Sequence, residues 1–178
     1  MSFSRFNIEI ISQQDIRAKF EEYKPNFSKP KIEEIFKKTL ELCYDTPDTN
    51  FTNVIHLCYD LQEERYCAIL NIGTTISVDD IVSIHVEFLF VEPDYRKHTN
   101  EQQHTFEELG FIKLSEYLLV DYVVGTIGMS SKRMLGIGLV ALTPVNDAVR
   151  EIYTSYGFDS IAGSGPNEFE DWMIFNIP

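Results

Sequence analysis

Residues 144–158 read Pro144-Val145-Asn146-Asp147-Ala148-Val149-Arg150-Glu151-Ile152-Tyr153-Thr154-Ser155-Tyr156-Gly157-Phe158. Asn146 is the residue type that caps a helix N-terminus, because its side-chain oxygen accepts a backbone N–H that the first turn leaves unpaired. Val149, Ile152, Tyr153 and Tyr156 follow at helical spacing, and Gly157 stands where a left-handed C-terminal cap is expected. The spacing predicts a helix over 145–156. A short apolar strand precedes it at 136–142, and a last strand follows at 172–177.

Further upstream the period of the sequence changes to two. Over 81–91, Ile84, Val86, Phe88 and Phe90 point one way, while His85, Glu87, Leu89 and Val91 point the other. His85 and Glu87 therefore share a strand face. Segments 53–59 and 66–75 flank the polar stretch 60–65 and read as a β-hairpin. Residues 6–11 are a further strand, and Ser12-Gln13-Gln14-Asp15 reads as a capping box before a helix carrying Ile16, Phe20 and Tyr23, ended by Pro25. Pro30 opens a second helix whose stripe is Ile32, Ile35, Phe36, Thr39, Leu40 and Cys43. Residues 97–105 are polar without apolar periodicity and read as a loop or a solvated turn, whereas 109–127 are apolar nearly all round, as in a buried helix.

The chain has 178 residues, 44% apolar and 13% aromatic, enough for one close-packed domain spanning 1–178 and too apolar for disorder. Fifteen basic residues against 28 acidic ones give a formal charge of −13. Phosphate backbones are bound through cationic patches, so composition argues against a nucleic-acid partner and favours cationic small molecules or basic protein segments. The odd set Cys43, Cys58 and Cys67 contains no CxxC pair, which argues against a disulfide framework or a zinc site. His56, His98 and His104 show no ligand spacing, so no metal is expected. No apolar run reaches the roughly 18 residues of a membrane span, and the expected location is the cytoplasm.

The stretch 144–158 resembles the C-terminal motif of the GNAT superfamily of acyl-coenzyme A dependent N-acetyltransferases. Leu89-Phe90-Val91-Glu92-Pro93-Asp94-Tyr95-Arg96 is similar to the superfamily's fourth strand and the turn after it. The resemblance implies an α/β (α+β) fold: a mixed, mainly antiparallel sheet with helices on both faces, opened between the strand ending at Val91 and the strand 136–142. Acetyl-CoA is then the implied co-substrate, its pantetheine arm pairing with the backbone of Leu89, Phe90 and Val91. Family members follow the fourth strand with a glycine-rich loop whose backbone N–H groups hold the pyrophosphate. Here about ten polar residues follow Arg96, and the next glycine is Gly110. Either Arg96 opens the loop, placing Thr99 and Glu101 at the glycine positions, or the loop lies at 107–112, with Gly110, Phe111 and Ile112 at its core, Lys113 as a cation and 97–106 as an insertion. The second register places a helix over 114–124 and is preferred.

The resemblance also implies roles. Tyr153 would protonate the departing thiolate, unless it is an aromatic core anchor. Asn146 would lie near the cofactor as well as capping its helix. Glu87, with His85 in reserve, would take the proton from an ammonium acceptor, because only the neutral amine is a nucleophile; the plainer reading is a half-exposed polar strand face. Cys58 and Cys67 read as buried apolar residues. The acidic run 167–171 reads as a solvated loop that could also line an amine site.

Three functions follow. The first is acetylation of a primary amine on a cationic small molecule or a protein. The second is a degenerate member with weak coenzyme binding that serves as an interaction module, for which the missing glycines speak. The third is a toxin-type acetyltransferase acting on aminoacyl-tRNA, suggested by the similarity of 118–121 and 146–158 to such members and opposed by the charge. A homodimer is compatible with all three.

Overall fold

The computed structural model describes residues 5–44, 53–76, 81–96, 113–161 and 172–178. Seven strands hydrogen-bond in the order β1-β2-β3-β4-β5-β7-β6, numbered along the chain: β1 Phe6–Ile11, β2 Val54–Asp60, β3 Arg65–Ile76, β4 Val82–Val91, β5 Leu139–Leu142, β6 Asp159–Ile161 and β7 Trp172–Asn176. The pairs β1–β2, β2–β3, β5–β7 and β6–β7 are antiparallel, whereas β4 and β5 run parallel. A mixed, mainly antiparallel sheet with helices is the α+β class expected from the sequence. The chain gathers into two compact units, one of Met1–Gly73 with Phe88–Gly110, the other of Thr74–Glu87 with Phe111–Pro178.

In the first unit α1 (Ile16–Tyr23) and α2 (Pro30–Glu41) supply the apolar side chains that cover β1, β2 and β3. Phe36 of α2 is the hub: its ring lies 4.8 Å from that of Phe20, 5.1 Å from Phe27 and 5.4 Å from Phe88, within the range where offset and edge contacts are favourable. Asn71 on β3 donates to the Thr39 carbonyl at 2.7 Å, tying strand to helix inside the core. A Cβ at Gly73 would stand 1.8 Å from Asn53 Oδ1, so a larger residue there would make the Asn53 side chain move aside. At the other end of β2, the fully buried Asp60 accepts from Arg5 (Nη2 2.6 Å, Nε 2.9 Å), from the Tyr95 hydroxyl (2.8 Å) and from the Gln62 amide (2.9 Å). Deleting Arg5 alone would strand this carboxylate in the core, a change that typically costs about 3–5 kcal/mol.

The α1 start differs from the expected capping box. Ser12 Oγ donates to Asp15 Oδ2 at 2.6 Å and the Asp15 amide bonds the Ser12 carbonyl, so the chain makes a tight turn and Asp15 takes the N-cap position. The helix ends on Lys24 in the left-handed region, φ 50°, one residue before Pro25.

In the second unit, the expected buried helix becomes three segments: α4 Leu114–Glu116, a π-helix Tyr117–Gly128, and α5 Met129–Leu135, capped by Gly136 at φ 74°. The buried residues Leu118, Val123 and Gly128, and likewise Leu119 and Val124, recur every five positions, which matches i→i+5 winding. Met129 bonds back to the Val124 carbonyl in that pattern. The helix therefore runs past residue 127, and β5 starts at Leu139 rather than 136. β6 was not anticipated; all three of its residues are exposed, so it offers no apolar alternation to read. The final helix, α6 Asp147–Ser155, falls within the expected span.

Candidate active site

β4 positions the first pair of functional side chains. Its parallel register with β5 covers Ile84↔Val140, His85↔Ala141 and Val86↔Leu142; β5 ends there while β4 runs on to Val91. The alternation of β4 buries Ile84 and Val86 and leaves His85 and Glu87 partly accessible on the other face. There His85 Nδ1 lies 2.8 Å from Glu87 Oε2. That hydrogen bond, opposed by partial burial, holds the Glu87 carboxyl below its ordinary range. With its Nδ1 proton donated to Glu87, a neutral His85 carries its lone pair on Nε2. Nε2 is buried and has no hydrogen-bond partner among the described residues. The ring is further fixed against Trp172, 5.6 Å between centroids at 30°, a neighbour 87 residues away that no local pattern could have indicated.

α6 positions the second group. Asn146 Oδ1 accepts the Val149 amide at 2.9 Å, so Asn146 is the N-cap the sequence indicates, and Asp147 adds negative charge at the positive end of the helix. At the other end the Phe158 amide bonds the Tyr153 carbonyl at 3.1 Å, Gly157 turns the chain at φ 95°, and the buried Phe158 ring meets Phe175 edge-on at 5.3 Å. These contacts fix the backbone around Tyr153. Its hydroxyl bonds none of the described residues, whereas the Tyr156 hydroxyl is occupied by Ser115 Oγ at 2.8 Å. Burial, reinforced by Tyr156, pushes the Tyr153 phenol up to about 12. It is therefore protonated at neutral pH.

The expected cofactor-binding residues fall into separate places. Leu89, Phe90 and Val91 form the end of β4, followed by α3 Pro93–Arg96. Arg96 folds back on that strand end, its Nε donating to the Val91 carbonyl at 2.6 Å and its guanidinium lying over the Phe90 ring at 5.0 Å. Lys113 is the N-cap residue of α4, in extended conformation. Gly110, Phe111 and Ile112 lie outside the described residues, as do Thr99, Glu101, His98, His104 and the acidic run 167–171. Cys58 and Cys67 are fully buried free cysteines, and burial raises the Cys67 thiol far above its ordinary value, as suits apolar core residues. Among the described residues no cluster of His, Cys, Asp and Glu could hold a metal ion, and no helix is long and apolar enough to cross a membrane.

No protein-family model matches the sequence, and no curated protein matches it. Solved structures do. AtaTR bound with AcCoA superposes with a TM-score of 0.62 at 14% identity, over 98% of this chain and 95% of that one. A bacterial toxin gives 0.62 at 16% identity over 97% and 90%. An aminoglycoside N(6')acetyltransferase from Legionella pneumophila gives 0.52 at 16% identity over 99% and 95%.

This chain has the GNAT fold.

Within that fold, β4 and β5 are the parallel pair of the sheet, and the capped helix bearing Tyr153 is found where the sequence places it. So is the shared face of His85 and Glu87, now seen as a hydrogen-bonded pair. At these identities the likeness concerns the fold, and the chemistry has to be argued from the residues themselves.

Proposed function

We propose that this chain is an N-acetyltransferase that transfers the acetyl group of acetyl-CoA to a primary amine, on a cationic small molecule or a protein. The observation that carries the reading is the Tyr153 hydroxyl: a neutral phenol with no hydrogen-bond partner among the described residues, on a helix whose sequence resembles the superfamily motif. The second orphan group is His85 Nε2. A thioester and an amine are the kind of reactants whose polar atoms would satisfy both.

Acetyl-CoA, when bound, supplies an activated acyl group on a thiol that can leave. The chain supplies the proton handling. His85 Nε2 accepts a proton from the incoming ammonium, directly or through water, while Glu87 holds the ring in the tautomer that exposes the lone pair. This reverses the order of duty expected from the sequence, because a carboxyl whose pKa is lowered is a poorer proton acceptor than an ordinary one. Tyr153 faces the departing sulfur. An ordinary thiol has a pKa of about 8.5, so full proton transfer from a phenol near 12 would run uphill by about 5 kcal/mol. Tyr153 therefore acts as a hydrogen-bond donor that stabilises charge building on sulfur, and the proton follows once the amine has released its own. The backbone of Leu89, Phe90 and Val91 takes the pantetheine arm. Arg96, whose Nε is engaged by Val91, has N–H groups left for the phosphates, and Lys113, Gly110, Phe111 and Ile112 are the other residues we assign to them. Asn146 completes the set near the thioester.

Steady-state acetyl transfer tests this. Tyr153→Phe should lower kcat by about 10²-fold with the fold and coenzyme affinity kept, and His85→Gln should cost a similar factor. Unchanged turnover in Tyr153→Phe would return Tyr153 to the role of a core anchor. A second reading, in which the acceptor is the amine of an aminoacyl-tRNA, is favoured by the likeness in fold to a bacterial toxin. Turnover on aminoacyl-tRNA with none on a panel of cationic amines would select it.

A further inference from the structure

The first unit contains a cavity of about 480 Å³ that the proposed chemistry does not use. Its wall comes from four places in the chain: the end of α1 (Tyr23 and Lys24), the end of β2 (Tyr59), the start of β3 (Arg65 and Tyr66), and the turn after β4 (Glu92 and Asp94). Three tyrosine rings stand together there. Tyr23 lies 5.3 Å from Tyr66, tilted by 35°, and Tyr59 meets Tyr66 edge-on at 5.1 Å. The middle ring is fixed from outside the cavity, since the Tyr66 hydroxyl donates to Glu9 at 2.7 Å and accepts from Lys19 at 2.9 Å.

One polar group in this wall, Glu92, lacks a counter-charge among the described residues. Glu92 is only 6% exposed, and the Asn26 amide donates to it, 3.1 Å from Oε1. No ion pair among the described residues reaches it. The Tyr23 hydroxyl is buried beside the Glu92 carboxylate, and burial, then the Glu92 charge and a hydrogen bond to it, push the phenol far above its ordinary value. A buried carboxylate ordinarily has a cation to offset its lost hydration; Glu92 has the Asn26 amide and the neighbouring Tyr23 hydroxyl, and no cation among the described residues. The cations on the rim do not supply the rest: Arg65 is committed to Asp94 and to the face of Tyr95, and Lys24 is exposed and makes no ion pair among the described residues.

We infer that this cavity is a binding site for an organic cation, an ammonium or methylated ammonium group seated against the Tyr23, Tyr59 and Tyr66 rings with its charge facing Glu92. Aromatic faces attract such a cation through their quadrupole, and most strongly where water is excluded. The cavity volume is within the range of small-molecule sites and leaves room for a ligand larger than its charged head. The acidic field of the chain, −13 overall, draws cations toward it. The inference requires neither acetyl transfer nor acetyl-CoA.

The test is calorimetric titration of the full chain with choline chloride at low ionic strength, set beside 3,3-dimethylbutan-1-ol, a neutral compound of the same shape. Saturable binding of choline at one site per chain, with at least ten-fold weaker binding of the alcohol, is expected. Glu92→Gln should weaken choline about ten-fold or more, Tyr59→Leu should weaken it several-fold, and Lys24→Gln, which removes a competing cation from the rim, should strengthen it. Equal binding of choline and the alcohol would overturn the inference. So would absence of choline binding to the wild-type chain, or choline affinity indifferent to both Glu92→Gln and Tyr59→Leu. Circular dichroism and melting curves check that the variants fold, and Tyr59→Leu, at a half-exposed position, provides the test if Glu92→Gln does not.

Discussion

His56 is 5% exposed on β2, paired with Ile10 on one side and Leu70 on the other, and burial pushes its imidazole down to about 4. An unfolded chain takes up a proton at this residue as the pH falls below 6.5, whereas the folded chain resists until about 4. The stability tied to His56 is therefore fully present above pH 6.5 and is lost progressively between 6.5 and 4, by about 3 kcal/mol. Urea unfolding as a function of pH checks this: the decline across that window should be clear in the wild type and much reduced in His56→Gln. Asp60 and Glu87 shift in the same direction, with carboxyl pKa values below their ordinary 3.8 and 4.5. Their stabilisation holds above those ordinary values and is lost only as the pH falls further, so the two effects separate along the pH axis.

At the scale of elements, α6 and its cap illustrate what one glycine can decide. Gly157 has φ 95°, and a Cβ built there would meet the Phe175 ring at 3.1 Å. Gly157→Ala should destabilise the chain by about 1–2 kcal/mol from the backbone alone and lower the melting temperature by about 2–4 °C per kcal/mol. A melting temperature equal to wild type would mean that the chain can leave Tyr153 through another turn. This helix was legible in the sequence because capping residue, apolar spacing and terminal glycine all agree. Strand β4 was legible because its two faces differ in burial, which produces alternation, whereas β2 and β3, buried on both faces over 55–58 and 67–72, were legible as apolar segments on either side of the polar stretch 60–65. The π-helix was not, since an apolar run read against a 3.6-residue period looks buried all round; only the five-residue recurrence of Leu118, Val123 and Gly128 separates the buried face from Asp121 and Thr126. The extension to Leu135 was hidden by exposure, Met134 at 82% and Leu135 at 73%, which leaves α5 no apolar stripe. At the candidate site, the pairing of His85 with Glu87 follows from strand geometry. The orphan state of Nε2 and the stacking on Trp172 arise from segments far apart in sequence, beyond the reach of any local pattern, and the same holds for the tyrosine cavity around Glu92.

For the molecule as a whole, net charge selects the acceptor. A chain at −13 with scattered basic residues has to work against its own field to hold a polyphosphate, while a cationic amine is drawn toward it. Raising the salt concentration screens that attraction, so KM for a polyamine or lysine-like acceptor should rise with ionic strength while kcat changes little. A KM that falls with salt would count against an acidic approach to the site. The central claim, however, is use of acetyl-CoA, and its most direct test is calorimetric titration of the purified chain with that compound. The account expects saturable binding at one site per chain, about ten-fold or more weaker than a complete glycine loop provides, since each lost charge-assisted hydrogen bond is worth roughly 1.5–3 kcal/mol. A folded chain that releases or absorbs no heat with acetyl-CoA, at concentrations well above that range, would contradict it.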